Sequence, residues 1–294
     1  MSLPSAELYA LIMAALNRLQ DDGGQFRSSV EKNHLSREEF WLLSRFRYFP
    51  GTVTPGDFQT FGPYTSISIY EKSLESLVVK KHAETVDAGR YRSTEAGRKL
   101  VENLYRDYFN HIARHDEVSE TELRRLGALA DRVLASALRQ LDVPAPITSA
   151  VRSTFPAIDQ PWAYAERRIV TLAVFRDDAH IAAWREESWS GPRIAVSTVL
   201  FKTEDRLDAT QLREAARQLD DKDFKSAISA LHSGGEMARS ADDHYQLTPT
   251  GRAARRQVEA LTDRNYALPF NALGPIELKD FENLLERVRG PIAA

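Results

Sequence analysis

Hydroxyls and cations at helical spacing are the chemistry-bearing feature of this sequence. With Tyr70, Leu74 and Leu77 as the buried stripe of a helix over residues 64–79, the opposite side at about 100° per residue carries Thr65, Ser68, Lys72 and Ser76, with Ile69 at its margin. Hydroxyls and a lysine on one face suit base edges and phosphate oxygens, and Ile69 suits a thymine methyl group. Lys80 and Lys81 follow at the helix end, and Arg90 and Arg92 a few residues later. Cations in those places neutralise phosphates.

Other chemistries lack their usual residues. The chain has no cysteine, which removes disulfides, thiolate zinc sites and cysteine nucleophiles. Of its seven histidines His111 and His115 alone stand at His-x-x-x-His spacing, without the His-Glu-x-x-His pattern of a metal-dependent hydrolase, and no Gly-x-Ser-x-Gly, Walker-type or dinucleotide glycine pattern occurs. The expectation is therefore no enzyme, no metal and no cofactor. A net charge of -3 argues against a protein that coats nucleic acid over its whole surface, but it leaves room for a local basic patch. Trp41, Phe46 and Tyr48 stand in an aromatic-rich stretch with Phe40, Phe49, Phe58 and Phe61. They pack a core, the commoner use of aromatics, or line a pocket.

These residues need elements to hold them. Segments such as AELYALIMAALNRL, LSREEFWLLSRF and ETELRRLGALADRVLASALRQL repeat apolar residues three and four apart, so helix dominates. Ser36 with Glu39, and Thr54 with Pro55, mark helix starts. Strand signal is confined to residues 79–86 and 90–93, a hairpin turning at Asp87, Ala88 and Gly89, and to a like pair at 236–240 and 244–248.

Residues 70–98 recur without a gap 154 positions later. Tyr91, Thr94, Gly97 and Arg98 reappear as Tyr245, Thr248, Gly251 and Arg252, and the stripe reappears as Phe224, Ile228 and Leu231. The cations do not. Lys72 becomes Ser226, Lys80 and Lys81 become Gly234 and Gly235, Arg90 becomes His244 and Arg92 becomes Gln246. Asp220, Asp221 and Asp223 crowd the second helix start and Asp242 and Asp243 the second hairpin tip, where they repel phosphate. The comparison implies that the first copy faces DNA and the second has lost that surface.

In LSREEFWLLSRFRYFPGTVTPGDFQTFGPYTSISIYEKSLESLVVKKHAETVDAGRYRSTEAGRKLVENL, with its Thr-x-x-Gly-Arg at Thr94–Arg98, the first half resembles the MarR family of winged-helix transcription regulators. The second half, through HIAAWREESWSGPRIAVSTVL and the run from Thr248 to Arg264, is similar to the MarR-like branch associated with salinomycin biosynthesis in actinobacteria. The resemblance implies a short helix near 54–61, a recognition helix over 64–79, a hairpin wing, terminal dimerisation helices, duplex DNA as partner, and a pocket for a small aromatic effector between winged helix and dimerisation helices, which Trp41, Phe46 and Tyr48 would line.

The expected architecture is mostly α with small β-hairpin wings: two tandem winged helix-turn-helix domains with flanking helices. The first would occupy 1–143, a linker carrying Pro144, Pro146, Pro156 and Pro161 would occupy 144–161, and a degenerate second domain 162–294. The start MSLPSAELYALIMAALNRL has no basic lead and is interrupted by Arg18, and no segment reaches eighteen unbroken apolar residues. Hence the expectation is a cytoplasmic regulator without membrane contact; its halves pack as an internal pseudo-dimer or two chains pair, and the homodimer is favoured because the second copy is unsuited to DNA. The rival is a sensor that binds a metabolite or protein on degenerate winged helices without DNA, with an accessory role in secondary metabolism a more remote third reading.

Overall fold

The computed structural model describes residues 5–20, 24–112, 118–154, 160–203 and 206–290. Its elements up to the proline-rich segment are Ser5–Leu19 (α1), Gly24–Lys32 (α2), Arg37–Arg45 (α3), Pro55–Phe61 (α4), Ile67–Val79 (α5), Ala83–Asp87 (β1), Arg90–Ser93 (β2), Glu95–Ile112 (α6) and Glu120–Ala137 (α7). Pro146–Ser153 (α8) and Pro161–Glu186 (α9) follow. The remainder is Gly191–Lys202 (α10), Leu207–Asp208 (β3), Ala209–Ala215 (α11), Asp221–Ser233 (α12), Met237–Arg239 (β4), His244–Leu247 (β5), Pro249–Ala267 (α13) and Pro275–Arg289 (α14).

The repeat reaches well beyond the 29 residues of sequence likeness. α4 and α11, α5 and α12, and β2 and β5 have both bounds offset by 154, and α3 with α10 and α6 with α13 share offset starts. Backbone irregularities recur in the same register: the left-handed φ of 56° at His34, 62° at Lys81 and 76° at Gly89 return as 58° at Ser188, 68° at Gly235 and 63° at Asp243. Val53 and Tyr91 exchange backbone hydrogen bonds of 2.8 Å, and their counterparts Leu207 and Tyr245 pair as β3 against β5.

The chain gathers into two compact units. One comprises Met1–Pro50, Ser93–Ala179 and Asp263–Ala294, the other Gly51–Arg92 and His180–Thr262. Each unit draws on both sequence halves, 1–143 and 162–294, rather than coinciding with one, because α9 and α13 each run through the division. The first unit is helical, with α1 and α7 both packed on α14. Arg125 Nε meets Asp280 Oδ2 at 2.9 Å between α7 and α14, and Arg132 and Arg287 pair with Glu277 and Glu122. The second unit holds α4, α5, α11 and α12 together with both hairpins.

The proline-rich stretch is not an extended linker over its described part. Pro146 starts α8 at a position where a missing N–H costs nothing. Ala145 offers no capping side chain, and Asp178 on α9 supplies one, accepting from the backbone of Ile147 at 3.2 Å and Thr148 at 2.8 Å and from the Thr148 hydroxyl at 2.7 Å. Pro156 lies outside the described residues.

Candidate nucleic-acid interface

α4 is set by a capping box, in which Asp57 N donates to Thr54 Oγ1 and Thr54 N to Asp57 Oδ2, with Pro55 as first helical residue. Phe58 is fully buried against Tyr70, whose hydroxyl donates to Gly62 O at 2.7 Å and ties α5 to the turn. α5 buries Tyr70, Leu74 and Leu77. It starts at Ile67 rather than residue 64, since Ser66 is its extended N-cap. β1 likewise starts at Ala83 rather than 79, because Lys80–His82 form the turn in which Lys81 is left-handed.

The nine residues expected to touch DNA divide by exposure. Lys72, Lys81, Arg90 and Arg92 are exposed, whereas Thr65, Ser68, Ile69, Ser76 and Lys80 are half-buried. Arg90 Nε donates to Thr52 Oγ1 at 3.0 Å, and Arg92 pairs with Glu84 across the hairpin. Ile67, Glu71 and Glu75 share the exposed side of α5 with Lys72. Burial, reinforced by the charges of Glu75 and Glu71, pushes the Tyr91 phenol up. Sequence reasoning missed them because it sought hydroxyls and cations opposite the stripe; a count of all charges at four-residue spacing would have found them.

Ser68 does not face open solvent, and the reason lies in the second copy. Ser66 and its counterpart Asp220, the N-caps of α5 and α12, touch: Asp220 N donates to Ser66 Oγ at 2.9 Å, and Ser66 N donates to Gln218 O at 3.0 Å. Ser66 Oγ donates in turn to Asp223, and Ser68 Oγ to Asp220 Oδ2 at 2.7 Å. The Asp223 amide, then the Ser68 hydroxyl, hold the Asp220 carboxyl below the usual carboxylate range. Ser66 is fully buried. Asp220 and Asp223, read from sequence as repelling phosphate, are spent on joining two helix starts, where a carboxylate complements the positive end of each helix. Nothing in sequence order brings residues 154 apart into contact.

The second copy keeps cations of its own. Lys222 and Lys225 are exposed on α12, and Lys225 stands where α5 has Glu71. The loss of cations therefore holds for the positions compared from sequence and not for the whole second helix. Asp221 is engaged by Arg213 at 3.1 Å, and Asp243 by Arg239 at the wing tip. Arg239 and the Ser240 hydroxyl hold Asp243 and Asp242, respectively, in the charged form.

The aromatic candidates lie in the first unit. Arg45 stacks 3.2 Å above the half-buried Trp41 ring, Phe46 is buried, and half-buried Tyr48 has Arg47 over its ring at 5.7 Å. A recess in the same unit is lined by Gln20, Phe26, Ser29, Asp107, Tyr108 and His111, and none of the three expected residues belongs to it. Behind Tyr108 sits the fully buried Glu166, accepting from Tyr108 Oη at 2.7 Å, Gln20 Nε2 at 2.8 Å and Arg167 Nη2 at 2.6 Å. Phe26 packs against Tyr105 and Tyr108 beside this recess, and these three are dispersed in sequence, unlike the aromatic run at 40–49.

Among the described residues no group of three or more histidines and carboxylates is placed to hold a metal, and no helix is long and apolar enough to cross a membrane. A family model described as a helix-turn-helix family matches residues 71–294, well over half of the chain. No curated protein and no solved structure matches.

Proposed function

The chain belongs to this helix-turn-helix family, and on that premise we propose that it is a DNA-binding transcription regulator that reads duplex DNA with α5 and the β1–β2 wing. The carrying observation is the exposure of Lys72, Lys81 and Arg90 along one helix and the hairpin that follows it. Such an array supplies the phosphate contacts on which affinity rests, while Ile69 and Ser76 at its edge suit bases. Each half is proposed to be a MarR-like winged-helix domain, one in 1–143 and one in 162–294, working in the cytoplasm. Control by a small aromatic effector is part of the proposal, with Trp41, Phe46 and Tyr48 as its contacts, since the recess beside Tyr108 has room for only about one water molecule.

We propose the internal pseudo-dimer of the two halves in place of the homodimer. α1 and α7 already pack on α14 within one chain, so terminal-helix pairing that two chains would supply is met internally. A second reading, a sensor without DNA, draws support from Glu71 and Glu75 beside Lys72.

Fluorescence anisotropy with labelled duplexes from the region around the gene tests the choice. Arg90→Glu should weaken binding at least tenfold, and Arg92→Glu less, since Arg92 is already paired with Glu84. Equal affinity of both variants and the parent would remove the wing from the interface.

A further inference from the structure

Two-fold DNA readers place their recognition helices in successive major grooves, about 34 Å apart. The contact between α5 and α12 is incompatible with that spacing. A bond of 2.9 Å from Asp220 N to Ser66 Oγ holds the two cap Cα atoms within about 7 Å of each other. At a rise of about 1.5 Å per residue, the first turns of the two helices then lie within about 20 Å, whatever the angle between them. That distance spans about six base pairs. Four hydrogen bonds hold the junction, two of them to backbone N–H groups of the caps themselves.

We infer that α5 and α12 form one composite reading edge, so that a single chain addresses one compact, asymmetric duplex site, with Lys222 and Lys225 of the second copy adding phosphate contacts to those of Lys72. The edge is asymmetric in its chemistry: Lys72 on α5 has no cation at its counterpart position on α12, and Lys222 and Lys225 on α12 have none at theirs on α5. A site read by it has no reason to be palindromic. This rests on the proposal that the chain reads DNA, and it reassigns the second copy from a spent duplicate to half of the interface.

The absence of cysteine allows two specific labels, Glu71→Cys and Ser226→Cys, at exposed positions outside the proposed phosphate contacts. Their Cα atoms are bounded at about 25 Å by the same helix geometry. Electron-electron distance measurement with and without bound duplex is paired with native mass spectrometry and with the salt dependence of Lys222→Ala/Lys225→Ala. The expected result is a short label distance in both states, one chain per duplex, and a salt slope reduced by about two in the double variant. Preference for two half-sites one turn apart, with the labels opening towards 34 Å on DNA, overturns the inference while leaving the DNA reading intact. An unchanged salt slope in the double variant removes α12 from the interface and overturns it too. Failure of every duplex to bind, with the labels still close, overturns the DNA reading itself.

Discussion

Lys81 occupies backbone that lysine does not favour. Its φ of 62° matches the 68° of its counterpart Gly235, and an L side chain in the left-handed region costs about 1–2 kcal/mol where glycine costs little. Keeping an exposed cation at that position is worth its strain only if the charge is used. Lys81→Gly should raise stability by about 0.5–1 kcal/mol in chemical unfolding while lowering the DNA salt slope by about one. A variant both more stable and equally tight on DNA would strip Lys81 of its role. At this scale the sequence told which cations exist and where the buried stripe runs. It could not tell that Arg92 is spent on Glu84 or Ser68 on Asp220, because each pairing depends on a backbone path the residue types do not encode.

At the level of elements, the repeated Thr-x-x-Gly-Arg joins wing to helix. Thr248 N donates to Glu236 O at 2.9 Å, its hydroxyl donates to Gly235 O at 2.7 Å, and Gly251 N donates back to that hydroxyl at 3.0 Å. A Cβ on Gly251 would stand 2.0 Å from Glu236 O. Gly251→Ala must therefore push α13 off β4 and should cost about 1–3 kcal/mol, read as a lower melting temperature. A neutral effect would mean the junction is looser than its geometry. In the first copy Gly97 N donates to Thr94 Oγ1 at 3.1 Å and Arg98 Nη1 to Ser93 O at 2.8 Å, so the residues that made the repeat visible are structural in origin. Helix starts were legible where the cap is local, as at Ser36 and Thr54. α8 was not, since its cap comes from Asp178, 31 residues from Ile147. Burial pushes that carboxyl up to about 6, partly offset by its Thr148 and Ile147 hydrogen bonds. The native state thus holds the Asp178 proton more tightly than the unfolded chain, so its contribution to stability falls as pH rises from about 4 to about 6. Asp178→Asn should flatten the melting-temperature profile across that window, and an unaltered profile would refute the assignment.

For the whole molecule, the duplication was readable only over 70–98, where the wing and its junction constrain residue types on both copies. Elsewhere the two copies share backbone without sharing side chains: at the helix starts Thr54 faces Asp208 in the alignment, and Ser66 faces Asp220. Apolar periodicity fixes helices, and it says nothing about which helix from one half meets which from the other. That is why α1 and α7 on α14, and the Ser66–Asp220 contact, emerged only in three dimensions. With those surfaces used inside the chain, sedimentation at micromolar concentration should give the 33.2 kDa of a single chain, and a stable species of twice that mass would restore the homodimer.

The central claim is that exposed cations on α5, α12 and the first wing bind duplex DNA. Its most direct measurement is the affinity for a fluorescent duplex across a series from about 50 to 200 mM salt, where each neutralised phosphate contributes about 0.9 to the slope of log K on log salt. Linear loss of affinity with salt, with a shallower slope in Arg90→Glu, is the predicted result. No binding at the lowest salt, or a slope that Arg90→Glu leaves untouched, would contradict it.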